Sequence, residues 1–403
     1  MERDVTLPPE EISLTDSGKW SQLPVIAGVG GLVLLAVSYL FGKDVDHGHQ
    51  LPYSYLVGFV YWLTVALGAL FFVLVHYLAR SGWSVVIRRL AEHASATMPL
   101  FAVLFVPIVF WSHDLYHWMH TEEVAHDAIL QHKSPYLNET GFLVRAVVYF
   151  VIWTVIAYFF RSRSQQQDKD GDPGITRTLM TSSAPGTILF GLCLAFASYD
   201  WVMSLEPHWF STMFGPYVFA GSAVTIYAFL ILVCQRLQGA GLLKSLVTEE
   251  HYHDLGKMLF GFVVFWAYLG FSQFMLIWYA NIPEETLWFD MRWQDPGWQK
   301  VSIFLAAAHF FVPFFWLITQ PAKRTPWRLG AGAAWMLFMH LVDVYWMIMP
   351  TLHKELHFSW LDVTCWLGIG GLFFAFFALL MKQKSLVPVR DPRLAESLAF
   401  QSV

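Results

Sequence analysis

His340 and Asp343 stand three residues apart inside an otherwise apolar stretch, a spacing that puts both side chains on one face of a helix. An imidazole titrates near neutrality, so a histidine beside a carboxylate can pass protons along a polar file. His309 lies at a compatible depth on the preceding apolar stretch, Gln273 lies on the one before it, and Tyr345 follows Asp343 closely. Ionisable groups at membrane depth are costly and are functional candidates by default. These residues read either as a proton relay toward one water interface or as a hydrogen-bonded clasp between helices, since buried polar groups need partners in any case. Asp200 lies nearer the interface and joins the relay candidates, while with Arg145 it also forms a candidate structural ion pair. From the opposite side the candidates are His76, His93 and Glu92, with Thr64, Thr225, Tyr227 and Tyr268 as hydroxyls toward the centre.

The elements that must position these groups are ten apolar stretches, near 24–42, 53–79, 95–112, 140–161, 184–204, 214–235, 256–280, 300–319, 327–350 and 359–381. About 20 helical residues cross the ~30 Å hydrocarbon layer, and each stretch approaches or exceeds that length. Their hydrophobicity does not alternate as barrel strands require. With 14% charged residues and 56% apolar ones over 403 positions, the chain is an all-α polytopic membrane protein with ten transmembrane helices. It divides into an N-terminal segment at 1–23, a membrane domain at 24–381 and a C-terminal tail at 382–403 that reads as a surface segment without chemistry.

Most of the 25 Lys and Arg residues fall in the connections on one side, in clusters such as Arg88/Arg89, Arg161/Arg163 and Lys323/Arg324. The positive-inside rule then places both termini in the cytoplasm. The first 20 residues are acidic and polar, with Glu2, Asp4, Glu10, Glu11 and Asp16, so no cleavable signal peptide is expected and the first span stays in the membrane. Nothing in the sequence suggests nucleic-acid binding; the lipid bilayer is the surrounding partner.

The three cysteines, Cys193, Cys234 and Cys365, are scattered singly, without the CxxCH of a covalent c-type haem or the clustered cysteines of an iron–sulfur cluster. His76, His309 and His340, the span histidines, do not supply the facing pairs of transmembrane b-type haems, so no cofactor is expected in this chain. The run Ser112–Lys133 reads as an amphipathic helix along the outer membrane surface, with His113, His117 and His120 on one face at i, i+4, i+7. Such a face can bind a metal. It has no HExxH and no companion ligand at a telling spacing, so it is taken as solvated or as a subunit contact, with no metal expected.

A weak internal echo divides the spans. Tyr199-Asp200-Trp201-Val202-Met203, with His208 seven after Trp201, parallels Val344-Tyr345-Trp346-Met347-Ile348, with His353 seven after Trp346. A shift of four helices implies two like-oriented four-helix bundles, about 53–204 and 214–350, plus two peripheral helices.

Ser198–Ser222, which reads SYDWVMSLEPHWFSTMFGPYVFAGS, together with HDLYHW at 113–118, KSPYLN at 133–138 and the ten-span layout, resembles the ActF-type membrane subunits of bacterial alternative complex III, themselves similar to polysulfide-reductase (NrfD) subunits. That resemblance spans essentially the whole chain. It implies a subunit of a quinol:electron-acceptor oxidoreductase in the bacterial inner membrane, without its own redox centre, that supports assembly and proton translocation. The implied partners are a sister NrfD-like quinol-binding subunit, an iron–sulfur protein, c-type cytochrome subunits and small membrane subunits, with haem c and iron–sulfur clusters held by those partners. Glu206, His208, Trp209, His113, Tyr116 and His117 would then be the partner-contact residues on the outer loops. Two other subunit roles remain open: an anchor for periplasmic cytochromes, or a quinol-binding subunit. A solute transporter would need helices broken at matched positions in both halves, and Pro99, Pro107 and Pro313 do not match.

Overall fold

Among the described residues, ten helices are long and apolar enough to cross a bilayer. They are α1 (Lys19–Gly42), α2 (Gln50–Leu78), α3 (Val85–Phe110), α4 (Glu139–Asp170), α5 (Pro173–Trp201), α6 (Phe214–Gly239), α7 (Glu249–Ala280), α8 (Pro296–Leu317), α9 (Pro326–Leu352) and α10 (Trp360–Lys382). The computed structural model describes residues 7–14 and 19–402, among which no strand occurs. Glu2, Asp4 and Asp16 of the polar N-terminal segment lie outside the described residues.

Helices α2–α5 pack as one bundle and α6–α9 as another, while α1 and α10 pair with each other and α10 leans on α2. The centre of the molecule is the contact between α2 and α6. The membrane window of α2 is wholly buried and that of α6 is 89% buried, against 17% for α1. A helix apolar all round belongs in the interior, and these two meet that description. They approach closely because Gly68 has no side chain: a Cβ there would lie 2.2 Å from the Ser222 carbonyl oxygen. The α1–α10 pair uses the same device, since a Cβ on Gly31 would come within 2.6 Å of the Gly368 carbonyl oxygen.

Several expected boundaries move. Helices α4 and α5 run on beyond the expected edges at 161 and 184, because Ser162–Asp170 contains nothing that stops a helix. The stop comes at Gly171, which adopts φ 68°, and Asp172 caps α5 through the Gly174 N–H. Helix α3 begins at Val85 rather than 95 and is built from three pieces, Val85–Ser95, Met98–Leu104 and Val106–Phe110. Its breaks precede Pro99 and Pro107, each of which lacks an N–H for the carbonyl four residues back. Ser112–Lys133 is no continuous amphipathic helix either. It folds as four short turns, Ser112–Leu115, His117–Met119, Thr121–His126 and Ala128–Lys133, the last capped by Asp127. Both described chain ends lie on one face, where the Leu386 N–H donates to the Ile12 carbonyl at 2.8 Å. This is the terminal face; the opposite one, carrying 111–138, 202–213 and 281–295, is the loop face.

Candidate functional site

His340 and Asp343 are both buried on α9, facing α6 and α2. The Thr64 hydroxyl donates to the Tyr61 carbonyl at 2.7 Å, and His340 Nε2 lies 2.8 Å from the Thr64 hydroxyl oxygen. A hydroxyl has one hydrogen, so His340 donates from Nε2 and its Nδ1 is a bare acceptor. That Nδ1 has no protein partner. Asp343 accepts from the Tyr217 hydroxyl at 2.5 Å on one oxygen and from the Trp266 indole N–H at 3.0 Å on the other. The two groups share one gap, which Gly221 leaves open. The position a Cβ would take on Gly221 is 3.1 Å from His340 Nδ1 and 4.0 Å from Asp343 Oδ2. The sequence-expected pair is therefore assembled around the missing side chain of a glycine, without a direct hydrogen bond.

His309 joins differently from expectation. Its ring stacks on Trp266 with centroids 3.7 Å apart, and neither nitrogen has a protein partner. It sits in a π turn, Ala307–Phe311, just before Pro313. A proline cannot donate to the carbonyl four residues back, which here is that of His309 itself, and the widened turn accommodates the loss. Tyr345 does not belong to the group. Its hydroxyl donates to the His357 carbonyl at the loop face, because Tyr345 points away from the α2–α6 contact.

Gln273 lies not beside His340 and Asp343 but on a lateral cavity of about 1060 Å³ between α7, α8 and the 281–295 loop. The walls are mainly aromatic, including Trp266, Trp288, Trp293 and Phe310, and the Gln273 Oε1 is buried without a protein partner. Arg292 also lines it. Its guanidinium is buried and donates to the carbonyls of Trp288, Trp346 and Met347 at 2.6, 3.0 and 2.8 Å. Pro350 explains one of these acceptors, since it withholds the N–H that the Trp346 carbonyl would otherwise take. Burial works against the Arg292 charge, and the field of Glu206 partly offsets it. Sequence reading gave Arg292 no role, because it sits in a loop and its acceptors are backbone atoms.

At the terminal face, His76 donates from Nδ1 to the Phe72 carbonyl of its own helix at 2.7 Å and packs against Trp83 and Tyr227. The Tyr227 hydroxyl is buried without a partner, Thr225 bonds its own backbone, and Tyr268 is 63% exposed on the outer side of α7. Tyr268 is therefore no part of an interior file. Below His76 is a buried ionic network: Arg89 with Glu92 at 2.9 Å and Asp168 at 2.8 Å, Arg88 with Glu92 at 3.5 Å and with Asp391, and Arg161 with His93 at 3.3 Å. Asp391 belongs to the C-terminal tail, which is not a loose surface segment. Leu386, Val387 and Leu394 are buried, Ser397 donates to the Trp83 carbonyl at 2.7 Å, and Ser402 donates to Asp254 at 2.7 Å. The tail thus ties the start of α3 to the start of α7, one bundle to the other. Its spaced leucines and its aspartate were the available signal.

On the loop face, Arg145 and Asp200 form the expected pair, at 2.8 and 3.0 Å, with the Tyr149 hydroxyl adding a third bond at 2.7 Å. The expected partner-contact residues divide in two. Tyr116 and Trp209 are buried and so are not contact residues: Tyr116 donates to the Trp201 carbonyl at 3.0 Å, and Trp209 stacks on Trp288 and donates to the Glu285 carbonyl at 2.9 Å. His113 and His117 are exposed, and Glu206 and His208 half-buried. Burial raises the Glu206 carboxyl above its ordinary range. His208 meets Asp127 at 2.6 Å and holds that carboxyl below its ordinary range.

Fold and site define a polytopic helical membrane protein with a polar interior at its bundle interface. Compared with models of known protein families and with curated proteins, the sequence matches none.

Proposed function

We propose that this chain is a membrane subunit of a quinol-oxidising respiratory complex, akin to the ActF-type subunits it resembles, and that protons move through its interior while electrons pass in neighbouring subunits. In this reading it lies in the bacterial cytoplasmic membrane with both termini inside and carries no redox centre. It abuts a sister NrfD-like subunit that binds quinol, an iron–sulfur protein, c-type cytochromes and small membrane subunits. The observation that carries the proton reading is the pairing of His340 Nδ1 and Asp343 Oδ2 across the gap at Gly221. A bare imidazole nitrogen and a carboxyl oxygen facing one small space are two proton-accepting positions, and a proton brought to either one can be shared with or handed to the other. Tyr227 on α6 and His76 on α2 lie toward the terminal face, where the Arg88–Glu92–Asp391 network joins α3 to the C-terminal tail.

The test is proton counting. The assembled complex in proteoliposomes is driven with quinol, and protons released per electron are read with a pH-sensitive dye. Asp343→Asn and His340→Gln should preserve quinol oxidation in the partner and lower the proton count. An unchanged count with normal assembly would sink the proton reading and favour an anchoring role.

A second reading, that the chain itself takes quinol, is favoured by the lateral cavity, whose aromatic walls and few polar groups suit a ring-bearing lipid. Filling it with Ala307→Trp separates the two. Loss of quinol extracted with the isolated chain supports the second reading, and unchanged quinol content counts against it.

A further inference from the structure

The turn His117–Met119 on the loop face is held from behind. Tyr116 is buried and bonded to the Trp201 carbonyl, the Trp118 indole donates to the Ser204 carbonyl at 3.1 Å, and Met119 is buried as well. The residues left over, His117 and His120, turn outward from a backbone that is already fixed. Glu123, in the first turn of Thr121–His126, reaches back to both. Its oxygens lie 3.8 Å from His117 Nδ1 and 3.3 Å from His120 Nδ1, and the three ligand atoms all fall within 4.8 Å of one another.

That spacing is near what a metal ion imposes. Ligand atoms at about 2.0–2.2 Å from a tetrahedral zinc ion stand about 3.4 Å apart, so atoms within 4.8 Å of one another need to close by about 1.4 Å at most. Two imidazoles and one carboxylate suit zinc and its first-row neighbours, whereas magnesium and calcium take oxygen sets. The His113 ring lies parallel to that of His120 at 5.7 Å and supports its orientation, without being one of the three.

We propose that His117, His120 and Glu123 form a divalent transition-metal site of the zinc class, with the remaining coordination position open to water or to an incoming ligand at the loop face. The site does not depend on the proton reading or on any partner subunit. Its ligand set differs from the i, i+4, i+7 histidine face suggested by the sequence: His113 drops out and Glu123 enters, because the segment is broken between Met119 and Thr121.

The experiment uses the full chain purified in detergent and stripped with a chelator. Zinc binding is measured by titration calorimetry, and cobalt(II) is added separately, its ligand-field absorption reporting coordination geometry. The expected result is one zinc per chain and an intense tetrahedral cobalt spectrum. His120→Ala and Glu123→Gln should each weaken zinc binding by about tenfold or more. His126→Ala and His132→Ala, exposed on the same loop, are the controls and should leave binding unchanged. The His120 and Glu123 side chains are 38% and 52% exposed, so changing them should not unfold the chain, and melting temperature verifies this. Zinc binding unaffected by His120→Ala, equal loss in the control variants, or an octahedral cobalt spectrum would each overturn the proposal.

Discussion

The Thr64 hydroxyl and the His340 imidazole meet at 2.8 Å between α2 and α9, and the hydrogen of Thr64 is already committed to the Tyr61 carbonyl. His340 is therefore locked as the Nε2–H tautomer by a residue of the other bundle. Thr64→Val keeps the shape and removes the acceptor, leaving both imidazole nitrogens without partners. An unsatisfied buried polar group costs about 1–3 kcal/mol, so the detergent-solubilised chain should melt at lower temperature, while Thr64→Ser should stay near wild type. Equal melting of the Val and Ser variants would show that the hydroxyl does not hold the ring.

Gly221→Ala tests the gap itself. The new methyl would stand 2.9 Å from His340 Cε1 and 3.1 Å from Nδ1, closer than the buried ring tolerates. His340 must rotate off Thr64, so the variant should fold with modest loss of stability yet lower protons per electron much as His340→Gln does. Gly68→Ala should behave differently, since its methyl would strike the Ser222 backbone carbonyl, which cannot turn aside. That variant is expected to fail at the level of folding, read as loss of monodisperse protein after extraction.

The ten spans were legible because length and apolarity alone decide them, and the His340–Asp343 face followed from a spacing of three on a helix. What joined the pair was not legible. Thr64, Tyr217 and Trp266 come from three other helices, and nothing in their local sequence distinguishes them from ordinary packing residues. Gly221 contributes by having no side chain, which leaves no mark on a hydropathy profile. Arg88 and Arg89 read in the sequence as part of a cationic connection between spans, whereas both are buried in α3 and their partners Asp391 and Asp168 lie 303 and 79 residues away. Only the folded chain could show that the C-terminal tail is one side of that network.

The Arg88–Asp391 contact makes a prediction about the tail. Both side chains are nearly or wholly out of solvent, and Arg88's other charged partner, Glu92, is shared with Arg89, while the Tyr77 ring lies 4.1 Å from the Arg88 guanidinium. Removing one partner of a buried ion pair costs about 3–5 kcal/mol, because the remaining charge is left buried. Asp391→Ala should therefore release 383–402 from the terminal face, seen as rapid proteolysis confined to the tail, before the membrane helices lose stability. Arg88→Met with Asp391→Leu, which removes both charges, should restore protection. If single and double variants are cleaved alike, the tail is held by its leucines and not by the ion pair.

The loop face should respond to acid through Asp127. This carboxylate accepts from His208 and from the Ile129 and Leu130 N–H groups, with Lys133 nearby, and the His208 bond is the main reason it stays below its ordinary range. A carboxylate whose proton affinity is reduced by folding contributes stability that is fully present above its unfolded pKa, about 3.9, and lost as pH falls through the lower folded value. Hydrogen exchange across 121–138, taken relative to the intrinsic amide rate at each pH, should thus be flat from neutrality down to about pH 4 and rise only below it. Asp127→Asn keeps an acceptor for the two backbone N–H groups but has no charge to lose. Its exchange at neutral pH should be somewhat faster than wild type, and the rise attributable to Asp127 should vanish in acid. A wild-type loop that loosens between pH 7 and 5 would mean that loss of the Asp127 charge does not govern the opening.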